Sequence, residues 1–301
     1  MVLTLVQQIV VMLAMMAVGV VLVRVGMIDD AGVKQLSSIA MYVATPAVIV
    51  QAFAITYSAE QLVNALWMGL FYAIALVASA ALAVAVCGRA DRIGRYAVIF
   101  SNSGFVGIPI ISGLLGPEYV FYVTITMAVS TFACWTYGVW LISGDKSQVS
   151  AKKILTNPAV IALAIGLVLF FAPVELPGMV SQFLAGMGNL NTGLAMIVLG
   201  ANLGTSNLGL LVSDRRLYKA IAMRLLAVPA VLIPLLMLMP VSPEIRMVLF
   251  IVEACPAGAV TSMFAQIFGG DYQYATGIVV GSTLLSMATM PLVLALALAV
   301  L

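Results

Sequence analysis

Long apolar stretches alternate with short polar connections along the whole chain. A helix needs about 20 apolar residues to cross the hydrocarbon core of a bilayer. By that criterion the pattern predicts ten spanning helices with no soluble domain between them, and therefore an all-α integral membrane protein. The predicted spans are residues 3–24, 33–55, 61–87, 94–115, 118–143, 154–173, 179–203, 217–239, 246–268 and 272–299.

The composition supports this prediction, because 64% of the 301 residues are hydrophobic and only 8% are charged. No soluble domain has that balance. The stretch from Val2 to Val23 is too long for the apolar part of a cleaved signal peptide and follows no basic segment. We therefore expect it to be the first spanning helix. The net charge of +2 gives no reason to expect a nucleic-acid partner.

The basic residues orient the predicted bundle. Twelve of the 13 lysines and arginines flank the odd-numbered connections, and Arg246 in the eighth connection is the exception. The even-numbered connections two, four and six carry only Glu60, Glu118 and Glu175. Because cytoplasmic loops are rich in lysine and arginine, both termini should lie outside the cytoplasm in a multi-pass protein of the cell (inner) membrane. The twelve are Arg24, Lys34, Arg89, Arg92, Arg95, Lys146, Lys152, Lys153, Arg215, Arg216, Lys219 and Arg224.

The two halves of the sequence resemble each other. The fourth and ninth spans each begin at an arginine, Arg95 and Arg246, and each contains a break rich in glycine and proline. Each is followed by glycine, an acidic residue and a tyrosine that opens the next span. Two units of five helices enter the membrane from opposite sides, so residues 1–150 and 151–301 are predicted to be inverted repeats.

Helix-breaking residues lie deep within the fourth and ninth spans. At a rise of about 1.5 Å per residue, Asn102 lies ~10 Å in from Arg95, and Pro256 ~15 Å in from Arg246 on the opposite side. Both breaks then lie near the middle of a core about 30 Å thick, where two broken helices can cross. Each would present a half-helix amino terminus, which favours anions. Pro109 and Pro256 suit the first turns of the second half-helices.

These features predict a site for a small anionic or carboxylate-bearing substrate. The alternative is that glycine, serine and threonine only allow helices to pack closely, and for spans two and seven the two interpretations are evenly balanced. The residues expected to bind substrate are Ser101, Asn102, Ser103, Gly104, Pro109, Pro256, Thr261 and Ser262, with Pro46 and Gln51 from span two.

Glu253 lies well inside the ninth span, where a charge is costly unless it is protonated, paired or in a wet cavity. It could carry a proton, since burial favours the neutral form, ligate a cation, or be a structural acid bonded to a polar neighbour. No lysine or arginine is expected at matching depth, which favours a proton or a bound cation over a fixed ion pair. The expected coupling-ion residues are Glu253, Thr192 and Asn191, with H⁺ or Na⁺ near Glu253 and no other cofactor.

At these residues the chain resembles the auxin efflux carrier family, which includes bacterial permease-like members and the plant PIN carriers. The matching segments are Ser101-Asn-Ser-Gly-Phe-Val-Gly-Ile-Pro109, Leu155-Thr-Asn-Pro158, Leu199-Gly-Ala-Asn-Leu203, Glu253-Ala-Cys-Pro256 and Ser282-Thr-Leu-Leu-Ser286.

The resemblance implies the ten-span inverted-repeat fold of the wider bile acid:sodium symporter superfamily, in which a panel domain supports a core with two crossed, unwound helices. It also implies an elevator-type secondary transporter with its substrate site where spans four and nine cross. Bacterial relatives are linked to small carboxylates such as malate or malonate. The long central cytoplasmic loop of the plant carriers is missing here.

Other functions are less compatible with the sequence than transport of small carboxylates. The chain has no histidine, and Cys87, Cys134 and Cys255 have no metal-ligand spacing, so common catalytic and zinc sites are excluded. Intramembrane aspartyl proteolysis needs two buried acids, and prenyl transfer needs more than the lone Asp29-Asp30 pair. We therefore expect no enzyme. Two alternatives stay open, a sodium-coupled symporter of larger amphipathic anions and a non-transporting sensor. The expected partners are a small organic anion and the bilayer, and a homodimer is an open alternative.

Overall fold

The computed structural model describes residues 2–172, 176–205 and 214–300. Glu175, placed in the sixth connection by the sequence, lies outside the described residues. Within them the chain is helical, and the only extended pairing is one isolated bridge between two helix breaks. The helical segments are α1 (Val2–Arg24), α2 (Asp30–Phe53), α3 (Ala59–Cys87), α4 (Arg92–Ile99), α5 (Ser103–Leu114), α6 (Pro117–Ser143), α7 (Lys146–Leu155), α8 (Pro158–Phe171), α9 (Gly178–Thr205), α10 (Arg215–Met237), α11 (Pro243–Ala254), α12 (Val260–Ile267) and α13 (Tyr272–Leu298).

Seven of the segments in the described part of the chain are long and apolar enough to cross a membrane. They are α1, α2, α3, α6, α9, α10 and α13, and they match seven of the ten predicted spans. The sixth predicted span corresponds to the pair α7–α8, which is bent by 45°. The fourth and ninth correspond to the broken pairs α4–α5 and α11–α12. An all-helical, multi-pass membrane protein is thereby confirmed, whereas ten crossings in two inverted repeats stay a prediction.

Helices α1 and α9 pack with their backbones in contact. A Cβ atom on Gly200 would lie 1.9 Å from the Met16 carbonyl oxygen, and one on Gly19 would lie 2.2 Å from that of Ile197. Small residues allow such close approach in membranes, where van der Waals contact drives helix association. The two helices therefore form a tightly joined pair.

Helix α11 is enclosed by protein rather than by lipid. All residues from Met247 to Ala254 are buried, although the helix is only 12 residues long. A helix that is apolar on all sides and buried on all sides belongs to the interior of a bundle. Polar groups on α11 are therefore surrounded by other helices, which can supply hydrogen-bond partners that lipid cannot.

Three π-helical turns each end two residues before a proline. They are Ala40–Ala44 in α2, Ser103–Gly107 in α5 and Met223–Ala227 in α10, followed by Pro46, Pro109 and Pro229. A proline inside a helix removes one backbone donor and crowds the carbonyl four residues earlier. The wider turn changes the hydrogen-bond register ahead of the proline, so each helix continues without a sharp kink.

Candidate functional site

The breaks in the two interrupted helices lie side by side and are bonded to each other through their backbones. The Asn102 N–H donates to the Pro256 carbonyl at 2.8 Å, and the Gly258 N–H donates to the Phe100 carbonyl at 2.9 Å. Ser101 and Ala257 thereby form an antiparallel bridge. The meeting of the two breaks follows the prediction from the sequence.

The second break has a local cause in its proline. Cys255 ends α11 in an extended conformation, φ −61° and ψ 150°, as expected of a residue that precedes proline. Pro256 thus lies in the break, and α12 begins only at Val260. The expectation that Pro256 sits in the first turn of the second half-helix is wrong, because this proline ends the first half-helix instead.

The first break lies further from its proline than expected. Phe100 is extended, and α5 begins at Ser103 with Asn102 as its N-cap residue. Pro109 is therefore the seventh residue of α5 rather than part of its first turn, so that expectation is also wrong. The π-turn at Ser103–Gly107 explains how the helix tolerates it, because the preceding carbonyls are displaced from their usual register.

Neighbouring helices support the second break. The Ala257 N–H donates to Ser282 Oγ of α13 at 3.1 Å, and that hydroxyl donates to the Val279 carbonyl. Gly258 lies close against the first break, since a Cβ atom there would lie 3.2 Å from the Ser101 carbonyl oxygen, a tight contact. The backbone of the break is thus fixed by a side chain and by close contact.

Arg224 lies at the centre of the broken helices, on the π-turn of α10. Its side chain and that of Glu253 are both 0% exposed, and Nη2 lies 3.1 Å from Glu253 Oε2. Nε donates to the Cys255 carbonyl at 2.9 Å, and Nη1 donates to the carbonyls of Val98 at 2.9 Å and Ile99 at 3.4 Å. Nη2 also donates to the Glu253 carbonyl. A guanidinium has five N–H donors, so these five contacts use all of them.

Those contacts satisfy the carboxyl ends of the first half-helices. The last four carbonyls of a helix lack partners within the helix and carry part of the negative end of its dipole. Val98 and Ile99 end α4, and Glu253 and Cys255 lie at the end of α11. One buried cation therefore neutralises one carboxylate and binds the carboxyl ends of both half-helices.

The arrangement corrects two expectations. Arg224 was assigned to a basic connection at the membrane edge, but it lies nine residues into α10, about 14 Å from its start at 1.5 Å per residue. The statement that Glu253 has no cationic partner is therefore wrong. The sequence misled because Arg224 follows Arg215, Arg216 and Lys219 and looks like the end of that basic cluster.

Around the same breaks several buried polar atoms lack hydrogen-bond partners in the described structure. They include Glu253 Oε1 and the side-chain donors Asn102 Nδ2, Ser101 Oγ and Thr261 Oγ1. Asn102 is 7% exposed and Thr261 is 0% exposed. Buried polar groups are nearly always paired, so a group of unpaired ones in one place marks a site of ligand binding or of strain.

Tyr72, from the middle of α3, belongs to this region and was not predicted. Its hydroxyl is buried and lies near Ser101, Ser130 and the Glu253 carboxylate without forming a well-aligned hydrogen bond. No pattern around Tyr72 in the sequence sets it apart from an ordinary aromatic residue in an apolar helix. Arg224 could have been found from its depth within an apolar stretch.

Helices α2 and α9 reach the first break through one pair of polar side chains. Thr45 Oγ1 donates to Asn191 Oδ1 at 2.9 Å, and Asn191 Nδ2 donates to the Gly104 carbonyl at 3.4 Å. Both side chains are buried. The structure thus brings the predicted residue Asn191 to the break, together with Thr45.

The other predicted residues are more dispersed. Ser103 is buried and Gly104 is half-buried at the start of α5, while Pro46 and Thr192 are half-buried beside Thr45 and Asn191. Gln51 is exposed and lies about 9 Å further along α2 than Thr45, at 1.5 Å per residue.

Ser262 differs from Thr261 because its hydroxyl has a partner. It donates to the carbonyl of Ala259, the N-cap residue of α12, at 2.9 Å. The structure therefore does not group it with Thr261.

An apolar groove of about 320 Å³ lies elsewhere, between α2, α3, α6 and α8. None of its lining residues is polar, so it offers nothing to hold an anion. The lining residues are Phe53, Leu62, Ala65, Leu66, Gly69, Leu70, Phe121, Ile125, Leu167 and Phe170.

Comparison with known proteins identifies the family of the chain. No curated protein matches the chain. Residues 4–294 match the family described as membrane transport protein, which is the auxin efflux carrier family expected from the sequence motifs. Since the match covers nearly the whole chain, this protein belongs to that family of membrane transporters.

Proposed function

We propose that the chain transports small organic anions, mono- and dicarboxylates, by alternating access and is not an enzyme. The observation that carries the proposal is the group of unpaired side-chain donors at the breaks, namely Asn102 Nδ2, Ser101 Oγ and Thr261 Oγ1. Carboxylate oxygens accept hydrogen bonds from such donors. A substrate bound there would pair groups that are otherwise buried without partners.

The charge distribution also favours an anion. Arg224 and Glu253 neutralise each other, so this pair brings no net negative charge to the breaks. The amino ends of α5 and α12 each add about half a positive charge and N–H groups that have no partner within the helix. Neither N-cap side chain, at Asn102 or Ala259, bonds to these groups. The Thr261 N–H donates to the Gly258 carbonyl and the Val106 N–H to the Asn102 carbonyl, and the other N–H groups of these first turns can bind a carboxylate.

For the transport step we propose an elevator-type movement. The tight pair α1–α9 would be the stationary support, and the broken helices with Arg224 would move as one body. In the described part of the chain, side-chain bonds between these parts include those from Asn191 to the Gly104 carbonyl and from Gln8 Nε2 to the Pro109 carbonyl at 3.2 Å. These bonds would have to break during the movement. Residues 1–150 and 151–301 would be the two inverted repeats of this transporter. It would lie in the cell membrane with both termini outside the cytoplasm.

The direct test is transport by purified protein in proteoliposomes. We expect uptake of labelled malate, succinate or acetate that exceeds that of protein-free vesicles and saturates. The substrates are first ranked by the rise in melting temperature that each produces, since a ligand of the native state stabilises it. Binding of a carboxylate without flux would favour the sensor alternative, and neither binding nor flux of any of these anions would contradict the proposal.

The movement is tested separately with a cross-link. A Cβ atom on Gly113 of α5 would lie 2.8 Å from Gln8 Cδ of α1, so cysteines at both positions can be joined by a short bis-methanethiosulfonate cross-linker. The cross-linked double variant Gln8→Cys/Gly113→Cys should lose uptake, and a reductant, which cleaves the linkage, should restore it. Each single variant treated with the same cross-linker is the control. Full activity of the cross-linked protein would contradict movement of α5 relative to α1.

A further inference from the structure

We infer that Arg224 is a tethered cation that fills the place of a coupling sodium ion, so that this centre works without Na⁺. The inference concerns the construction of the proposed transport site and rests on the proposed function for its meaning in transport. It is carried by the hydrogen bonds of the guanidinium, all of which are to oxygen atoms of the two broken helices.

The oxygens that a sodium ion would use are already engaged. In transporters with broken helices, unwound backbone carbonyls and the carboxyl ends of half-helices coordinate Na⁺. Here those atoms are the carbonyl oxygens of Val98, Ile99, Glu253 and Cys255, with Glu253 Oε2, and each accepts from Arg224. The guanidinium is thus bonded to the same oxygen atoms that would coordinate a cation between the two half-helices.

The remaining oxygens do not form a sodium site. Glu253 Oε1 is unpaired in the described structure, and the buried Tyr72 hydroxyl lies within electrostatic range of the carboxylate. A sodium ion at Oε1 would share a single buried carboxylate with the Arg224 guanidinium. Two like charges so close in a medium of low dielectric constant repel strongly.

A tethered cation differs from a bound ion in one functional respect. A sodium ion enters from one side of the membrane and leaves on the other, so its gradient can drive transport, whereas Arg224 remains covalently attached to α10. The charge that stabilises the carboxyl ends of the half-helices is then always present. The Na⁺ gradient therefore supplies no driving force through this centre, which also argues against the alternative of a sodium-coupled symporter.

The test measures thermal unfolding of the purified full-length protein and needs no substrate. For the wild type, replacing KCl by NaCl at constant ionic strength should leave the melting temperature unchanged. Arg224→Ala opens a guanidinium-sized space lined by the five freed oxygens. Low millimolar guanidinium chloride should therefore raise the melting temperature of this variant in a concentration-dependent way, by mass action. Arg246→Ala is the control, since Arg246 bonds the Met239 carbonyl outside the breaks and its removal should create no such response.

The outcomes separate this inference from the proposed function. A sodium-specific rise in the melting temperature of the wild type that Glu253→Gln abolishes would overturn the inference, whatever the transport assays show. Absence of both the sodium effect in the wild type and the guanidinium effect in Arg224→Ala would contradict the tethered-cation role while leaving anion transport intact. If Arg224→Ala cannot be purified, the sodium titration of the wild type and Glu253→Gln still decides.

Discussion

At the breaks, the carboxyl ends of α4 and α11 bind the guanidinium of Arg224, whereas the amino ends of α5 and α12 adjoin side chains whose donors are unpaired. At the carboxyl ends the protein itself supplies the cation, and all five N–H donors of the Arg224 guanidinium are used. The second region, a few residues away along the same chain segments, has Asn102 Nδ2 and Thr261 Oγ1 buried without partners.

This difference separates stability from ligand binding. A fully paired buried network rigidifies a structure, while unpaired buried donors are costly unless a ligand pairs them. Substitutions at the carboxyl ends should therefore lower stability, and substitutions at the amino ends should lower transport while leaving stability nearly unchanged or improved. Four substitutions with matched controls test this separation.

The largest effect is expected for Arg224→Met, which keeps the volume of the side chain but removes its charge and donors. Losing one partner of a buried ion pair costs about 3–5 kcal/mol. The melting temperature in detergent should fall by at least about 6 °C, at roughly 2 °C per kcal/mol. The measurement is thermal unfolding with intrinsic fluorescence as the signal.

A double variant separates the contribution of the ion pair to stability from that of the hydrogen bonds to the carbonyls. Arg224→Met/Glu253→Gln has no unpaired buried charge, so it should melt above Arg224→Met but below the wild type, because the four carbonyls have still lost their donor. Glu253→Gln alone leaves the buried guanidinium without its carboxylate, so it should also melt below the wild type. Equal stability of the wild type and Arg224→Met would show that Arg224 does not hold the carboxyl ends together.

The second effect is a loss of transport in Asn102→Ala. The amide nitrogen has no partner in the described structure, and the side chain makes no N-cap hydrogen bond. A hydrogen bond to a charged group contributes about 1.5–3 kcal/mol, so uptake should fall by at least about 10-fold. Stability should change little. Uptake at substrate concentrations below saturation is the measurement.

Asn157→Ala is the matched control for Asn102→Ala. Asn157 is also the N-cap of a helix, α8, but its Oδ1 accepts from the Ala159 N–H at 2.9 Å. Its removal should therefore cost about 1 kcal/mol of stability and leave uptake unchanged. If Asn102→Ala instead behaves like Asn157→Ala, the amide of Asn102 is structural and the substrate lies elsewhere.

The sequence predicts where the two helices break but not how each break is built. Pro256 and the polar run around Asn102 are local signals, because proline removes an N–H and polar side chains compete for backbone groups. The hydrogen-bond partners depend instead on contacts between residues far apart in the chain. Arg224 is 29 residues from Glu253 and 126 from Val98, and nothing local in the sequence indicates that the three meet.

Tertiary contacts also divided residues that the sequence had grouped together. Asn191 reaches the first break through the Gly104 carbonyl, while Gln51, predicted on the same grounds of polarity, is exposed. Pro109 looked like the start of a half-helix, yet α5 begins six residues earlier, since the π-turn lets the helix pass through a proline. The polar residues and prolines in the sequence therefore indicate where the two helices break. Which of these residues reach the breaks depends on how the helices pack.

The third effect is a moderate loss of transport with a gain in stability in Thr261→Val. Valine has nearly the shape of threonine, and the Thr261 hydroxyl is buried without a partner. Removing an unpaired buried hydroxyl removes a penalty of about 1 kcal/mol or more, so the melting temperature should rise slightly. Uptake should fall by about 10-fold, the lower end of the effect of losing one hydrogen bond to a charged substrate. Thr126→Val is the control, because that buried hydroxyl already donates to the Val123 carbonyl and its loss should only lower stability.

The smallest effect is expected for Ser262→Ala, although Ser262 adjoins Thr261 and was predicted alongside it. The Ser262 hydroxyl donates to the Ala259 carbonyl, so it is satisfied within its own helix and does not need a ligand. Uptake should therefore stay within about 2-fold of the wild type, well below the effect of one lost hydrogen bond to a charged group. The same proteoliposome assay, run beside Thr261→Val, gives the comparison. A loss of uptake as large as that of Asn102→Ala would mean that the Ser262 hydroxyl donates to the substrate instead of to the Ala259 carbonyl. A hydrogen bond within the protein would then not distinguish structural groups from substrate-binding groups at the amino ends.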